Sequence, residues 1–271
     1  MTDATICGMA SYGAVRMRGV AVAAAMGAPF ADLKAGVPSA DVVVLVKRCP
    51  EGVAAELRRS CRVLIWDPLD SWISDNAQDV GYWSRMRDKL GFDVIVSTSP
   101  SCSDAMWASG ARVHMLPHHA DPRIGHWVDP KGPVVYCGGM QYVMGAVKAI
   151  AAAAKAVGHE FLVHEGNEAW KGLKRAALCV HMRVAPHDYE LNRLCKPQVK
   201  AENAMAARVP VVGMDPCFST LYNGAPCAGP FWGTGTLAAL FAEALAKGPR
   251  YKNRYDLHTH AEALWELIRS V

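Results

Sequence analysis

The sequence predicts an α/β protein built from two successive parallel-sheet halves. Three observations carry that expectation. Short runs rich in Val and Ile recur along the chain, each is followed by a stretch with helical spacing of apolar residues, and the alternation lapses once near the middle. The 271 residues are 51% hydrophobic and 20% charged, enough apolar surface for one large core or two smaller ones, which excludes disorder and collagen-like structure. Lys and Arg total 29 against 25 Asp and Glu, and a net charge of +4 is too small and dispersed to mark a nucleic-acid protein by itself.

In the first half, strands are expected at Thr5–Met9, Val42–Val46, Val63–Trp66, Val94–Ser97 and Val113–Leu116. Helical spacing falls at Arg16–Met26, Glu51–Arg59, Asn76–Leu90 and Ser101–Ala108. Between Leu116 and Pro133, prolines and glycines that cannot sustain a helix or a central strand read as a linker. The alternation then restarts with strands Val134–Cys137, Glu160–His164, Leu178–Met182 and Val209–Gly213, separated by helices Gln141–Val157, Asn167–Arg175 and Pro197–Ala207. Two helical patterns without further strands, Leu237–Ala246 and Leu257–Ile268, are expected to pack across both halves. The domain division that follows is 1–120, a linker at 121–132, 133–250, and a returning helix at 251–271.

The start of the chain has no basic stretch followed by an apolar one, and the most apolar stretch, Val143 to Val157, is broken by Lys148 and Lys155. No signal peptide and no membrane association are expected. The nine cysteines are odd in number, widely spaced and without a C-x-x-C pair, the pattern of buried reduced thiols in a cytoplasmic protein.

In open α/β sheets ligands bind beyond the carboxyl ends of the strands, so the residues there are the first candidates. After the first strand, Ser11 and Gly13 allow a ligand to approach the backbone, and Arg16 and Arg18 bring positive charge to a helix start. An ordinary turn with two solvated arginines explains these residues equally well. Asp67-Pro-Leu-Asp-Ser-Trp72 places two carboxylates, Asp67 and Asp70, beside Trp72, a set suited to gripping hydroxyls or acting as a base. His118, His119 and Asp121 lack a third spaced ligand, so no metal is assigned and substrate contact or hinge structure is preferred. Gly138 and Gly139 precede a helix and offer bare N–H groups to a phosphate, though a tight turn would look the same. No G-x-x-x-x-G-K-[ST] is present. Past His181 a polar stretch containing Arg183 leads into a helix with Lys196 near its start and Lys200 one turn on, where ammonium groups would add to the helix dipole over a diphosphate.

Three passages resemble a family, the GT-B glycosyltransferases of two-Rossmann architecture, nearest the retaining nucleotide-sugar enzymes. Lys196-Pro-Gln-Val-Lys-Ala-Glu-Asn-Ala-Met-Ala-Ala-Arg-Val-Pro-Val-Val212 resembles the nucleotide-sugar motif, Val96-Ser-Thr-Ser-Pro followed by Gly110 to Pro122 the family's passage into its linker, and Arg62 to Asp70 a strand ending in paired acids. Aligned through Pro210, the family's second glutamate falls on Asn203 with Glu202 just before it, its upstream partner is Cys195, and its usual glycine is Arg208.

The resemblance implies two Rossmann-like domains facing across a cleft. The second would bind a nucleoside diphosphate sugar, UDP-sugar first, through Gly138, Gly139, Arg183, Lys196, Lys200, Glu202 and Asn203. The first would hold a hydroxyl acceptor near Ser11, Gly13, Arg16, Arg18, Trp72, His118 and His119, with Asp67 or Asp70 as base. No further cofactor, metal or obligate protein partner is implied. Compact bacteriophage transferases of similar build glycosylate hydroxymethylated pyrimidines, so double-stranded DNA is one acceptor class, reached through Arg16, Arg18, Arg85, Arg87 and Lys89. A small molecule or a glycan is the larger class. Rival readings are a sugar-nucleotide epimerase or hydrolase, and a non-catalytic nucleotide-binding module.

Overall fold

The computed structural model describes residues 3–50, 52–69, 80–98, 100–166, 168–181, 199–213, 234–249 and 256–271. Contacts divide the chain into two compact units, one of Met1–His119, Leu194–Pro197 and Tyr255–Val271, the other of Ala120–Arg193 and Gln198–Arg254.

The first unit holds a parallel sheet of six strands in the order β2-β1-β3-β4-β5-β6. These are β1 (Ala4–Gly8), β2 (Phe30–Asp32), β3 (Val42–Val46), β4 (Val63–Asp67), β5 (Val94–Ser97) and β6 (Arg112–Met115). The runs read from sequence form strands because continuous branched apolar residues satisfy a strand buried on both faces. In β1, β3, β4 and β5 every residue is buried.

Short α1 (Gly13–Val15) runs directly into a π-helical segment (Arg16–Ala21) and then α2 (Val22–Met26). Bulky Phe30 fits beside this run because Gly19 has no side chain: a Cβ there would meet Phe30 Cε2 at 2.9 Å. Three more helices follow, α3 (Ala54–Arg59), α4 (Val80–Leu90) and α5 (Pro100–Ala108).

The second unit has a four-stranded parallel sheet in the order β10-β9-β7-β8, made of β7 (Val134–Cys137), β8 (Phe161–His164), β9 (Leu178–His181) and β10 (Val211–Gly213). The expected helix over Gln141–Val157 divides into a 3-10 turn (Met140–Tyr142) and α6 (Val147–Ala156). The expected helix over Asn167–Arg175 is a 3-10 segment (Ala169–Arg175), in which Gly172 leaves room for the His164 ring that a Cβ would strike. Next comes α7 (Val199–Ala206).

The two terminal helices divide between the units. α8 (Thr234–Lys247) contributes Leu237, Phe241 and Ala244 to the core of the second unit. α9 (Leu257–Arg269), capped by Asp256 Oδ1 accepting from Thr259 N at 2.8 Å, contributes Ala261, Leu264, Leu267 and Ile268 to the core of the first. An amphipathic helix buries its stripe against the nearest apolar sheet face, and here each has one within its own unit.

Residues after Ala120 lie on the second unit through specific bonds. Asp121 accepts Arg123 Nε at 2.9 Å and Nη2 at 2.6 Å, and Trp127 N donates to Ala207 O at 2.9 Å. Trp127 stacks on Trp170 with centroids 5.8 Å apart, and Arg123 lies 4.6 Å from the Trp170 centroid. The proline-rich stretch is therefore ordered by side-chain contacts and isolated backbone bonds rather than by secondary structure.

α7 ends in a Schellman arrangement, with Arg208 N bonded to Met205 O at 3.0 Å and Val209 N to Ala204 O at 2.8 Å. Arg208 sits at φ 60°, left-handed backbone at the position where the resembled family uses glycine. Arg208→Gly is expected to stabilise the protein by about 1 kcal/mol by removing the Cβ strain. Thermal melting checks this: a gain supports it, and a loss means that the arginine side chain makes up for the strain.

Candidate functional site

In the second unit, the end of β7 and the start of α7 converge. Tyr136 is fully buried on β7 with its hydroxyl at the strand end, and Lys200 Nζ donates to that hydroxyl at 2.6 Å and lies 4.2 Å from the ring centroid. A Cβ on Gly138 would stand 2.5 Å from Lys200 Nζ, so the bare glycine is what lets the ammonium lie over the turn. Met140 N donates to Glu165 Oε1 at 2.5 Å, so a backbone donor of this turn is held by a carboxylate arriving from the end of β8. A backbone N–H donor and a cation beside a glycine turn at the carboxyl end of parallel strands can hold a pyrophosphate.

Lys200, Gly138 and Gly139 thus come together, and Tyr136 and Glu165 join them from positions that look ordinary in the sequence. A tyrosine in a buried strand reads as core, and only its place two residues before Gly138 hints that its hydroxyl reaches the strand end. Glu202 is 3% exposed on α7, inside the unit. Asn203 Oδ1 accepts from Asp121 N at 2.8 Å, so this carbonyl anchors the linker and leaves the amide NH₂ for a ligand. Arg183 and Lys196 lie outside the described residues.

Cys137 and Cys179, neighbours on β7 and β9, lie beneath Lys200. The side-chain bond that the Cys179 thiol donates to Cys137, then deep burial, push that thiol well up, with Lys200 opposing. In the first unit burial alone is the main cause holding Cys49 up to about 11. Cys7, Cys49, Cys61, Cys137 and Cys179 are all free thiols.

In the first unit, the π-helical segment turns Arg18 inward at the carboxyl ends of β4 and β6. Its side chain is fully enclosed, with Nε donating to Asp67 Oδ2 at 2.6 Å, Nη1 to Pro117 O at 3.0 Å and Nη2 to Leu116 O at 2.8 Å. The other Asp67 oxygen accepts Leu69 N at 3.3 Å. A buried guanidinium needs a counter-ion and filled donor positions, and these contacts supply them.

Beside this pair, His119 stands between His118 and His260, with ring centroids 5.2 Å and 5.0 Å away. His118 Nδ1 is 2.7 Å from His119 O and His260 Nδ1 is 3.0 Å from Pro117 O. A carbonyl can only accept, so in both rings the proton of the neutral form is on Nδ1. His260, on the last helix, has no sequence signal that ties it to residues 143 positions earlier.

Arg18, His118 and His119, expected from sequence to touch the acceptor, are 1%, 5% and 0% exposed and form the internal support of the strand ends. Asp67, at 4% exposure with both oxygens engaged, is the counter-ion of Arg18 rather than a base open to a substrate. Ser11, Gly13 and Arg16 are exposed at the turn after β1. Asp70 and Trp72 lie outside the described residues. Among the described residues no group of His, Cys, Asp and Glu has the geometry to hold a metal, and none of their helices is long and apolar enough to cross a membrane.

Burial, then the Arg18 charge, then the neighbouring rings hold His118 and His260 well below the usual histidine range. The unfolded chain takes up protons near pH 6.5 while the folded rings stay neutral, so stability is complete above that pH and falls as pH drops below it. Each ring contributes a slope of up to about 1.4 kcal/mol per pH unit. Urea unfolding between pH 7.5 and 5.5 checks this, and His260→Gln is expected to flatten the profile.

No protein-family model matches the chain, and no curated protein matches it in sequence. Solved structures do. AviGT4, a glycosyltransferase involved in avilamycin A biosynthesis, superposes with a TM-score of 0.57 at 13% identity over 98% of this chain and 97% of its own. An E. coli trehalose-6-phosphate structure bound with UDP-2-fluoro glucose gives 0.59 at 11% identity over 93% and 77%. The lipopolysaccharide outer core galactosyltransferase WaaB gives 0.51 at 10% over 98% and 99%. At these identities the likeness is one of fold, and the two parallel-sheet units of this chain follow the GT-B glycosyltransferase plan.

Proposed function

We propose that this protein is a glycosyltransferase that moves a sugar from a nucleoside diphosphate sugar to a hydroxyl acceptor. The observation that carries the reading is Lys200, set over Gly138 at the carboxyl end of β7 and held there by Tyr136. Breaking the anomeric bond leaves negative charge on the departing diphosphate, and an ammonium beside bare backbone stabilises that charge as it develops. The same lysine supplies positive charge that a divalent cation would otherwise supply. UDP-sugars are the first donors to try, since a neighbour in fold holds UDP-2-fluoro glucose.

Arg183, Lys196, Glu202 and Asn203 complete the proposed donor set, and Ser11, Gly13, Arg16 and Trp72 the acceptor set. If the reaction inverts, Asp70 is the base that takes the acceptor proton. A small molecule or glycan is the preferred acceptor over a hydroxymethylated base in DNA. Of the cations that duplex DNA would engage, Arg18 is sealed inside and Arg87 Nη1 donates to Ser109 O at 3.0 Å. Free thiols at Cys7, Cys49, Cys61, Cys137 and Cys179 suit a reducing cytoplasm.

Mass spectrometry tests the reading with a panel of UDP- and GDP-sugars against free sugars, ordinary DNA and hydroxymethylated DNA. An acceptor that gains one glycosyl mass supports transfer. Sugar released as efficiently without any acceptor points to a hydrolase, an isomerised donor to an epimerase, and binding without turnover to a non-catalytic module.

A further inference from the structure

Lys47 follows β3 in left-handed backbone, at φ 73°, which a side chain with a Cβ rarely adopts. Two bonds to the adjoining strand hold it there: Lys47 N donates to Asp67 O at 2.6 Å, and Lys47 O accepts Trp66 Nε1 at 2.8 Å. This pinned conformation brings its ammonium to 5.3 Å from the centre of the Tyr12 ring, in the turn after β1. Gly8 makes that approach possible, because a Cβ there would lie 2.9 Å from Val46 O and from Val15 Cγ1. Arg16 reaches the same turn one residue further on, with Nη2 3.9 Å from the place a Gly13 Cβ would take. Lys47 and Arg16 therefore both border the turn at Tyr12 and Gly13, Lys47 from strained backbone.

We propose that Lys47 and Arg16 bind a terminal oxyanion on the acceptor, a phosphomonoester or carboxylate carried by a small hydroxyl compound. The inference rests on the glycosyltransferase reading and assigns its acceptor a charge. Two cations meeting at a single turn suit one terminal anion, whereas a nucleic-acid backbone needs contacts spread along its length. Strain at this residue fits a binding role, since a left-handed lysine persists only where surrounding bonds over-determine it.

Calorimetry of the full chain with inorganic phosphate, in excess UDP, compares wild type with Lys47→Gly, Arg16→Gln and Lys200→Met. Lys47→Gly suits the left-handed backbone and removes the ammonium, so it melts no lower than wild type. Phosphate affinity is expected to fall at least about tenfold in Lys47→Gly and Arg16→Gln. Unchanged phosphate binding in both overturns the proposal and leaves the donor reading intact. Unchanged UDP binding in Lys200→Met, with phosphate lost in Lys47→Gly, overturns the donor reading and leaves the anion site. Transfer to a hexose 6-phosphate, a hexuronate and the parent hexose then separates the two anions. A preference for either charged acceptor that disappears in Lys47→Gly supports the site. Equal use of the uncharged hexose, or transfer to duplex DNA alone, contradicts it.

Discussion

Asp67→Asn is expected to destabilise the first unit by about 3–5 kcal/mol, because it leaves the Arg18 guanidinium enclosed without its counter-ion. A loss of that size lowers the melting temperature by on the order of 10 °C. Arg18→Met carries a similar cost, since the Asp67 carboxylate and the carbonyls of Leu116 and Pro117 lose their donors. The double variant Arg18→Met/Asp67→Asn should cost far less than the sum of the single changes, as expected of two charges that answer each other in an apolar setting. Thermal melts of all four proteins close the cycle. The opposite pattern, wild-type melting of Asp67→Asn with transfer abolished, would return Asp67 to the role of catalytic base.

Lys200→Met is expected to weaken nucleoside diphosphate binding by about 1.5–3 kcal/mol, roughly ten- to a hundredfold in Kd. Methionine keeps most of the side-chain volume over Gly138, so the loss reports the charge rather than a cavity. Tyr136→Phe removes only the hydroxyl that accepts from Lys200 Nζ and is expected to have a smaller effect of the same sign. Nucleoside monophosphates should be affected less than diphosphates, because fewer phosphate oxygens reach the lysine. Equal affinity of wild type and Lys200→Met for UDP and GDP by calorimetry counts against the assignment.

The strand framework is legible in the sequence wherever burial on both faces demands unbroken apolar residues, as in Val42–Val46 and Val134–Cys137. β2 escapes that reading because it is three half-buried residues, Phe30 to Asp32, at the edge of the sheet. Helix boundaries blur where glycine permits tighter turns, at Gly145 before α6 and at Gly172 within the 3-10 segment. Lys200 and Gly138 can be paired in advance because a glycine turn and a helix-start lysine are each local signals that the parallel topology brings together. Arg18 cannot, since its partners are 49, 98 and 99 residues away, and an arginine near a helix start looks solvated until those partners are known. Lys47 is equally silent in sequence, because its role depends on a backbone angle imposed by β4.

The central claim is that the ammonium over Gly138 holds the pyrophosphate of an activated sugar. A crystal structure of the protein with UDP tests it most directly, with GDP as the second choice if UDP fails to bind. A phosphate oxygen is expected within hydrogen-bond distance of Lys200 Nζ, with the Glu165 carboxylate displaced from Met140 N and that donor freed for the ligand. Diphosphate bound elsewhere on the chain, with Lys200 still on Tyr136 and Glu165 still on Met140, would contradict it.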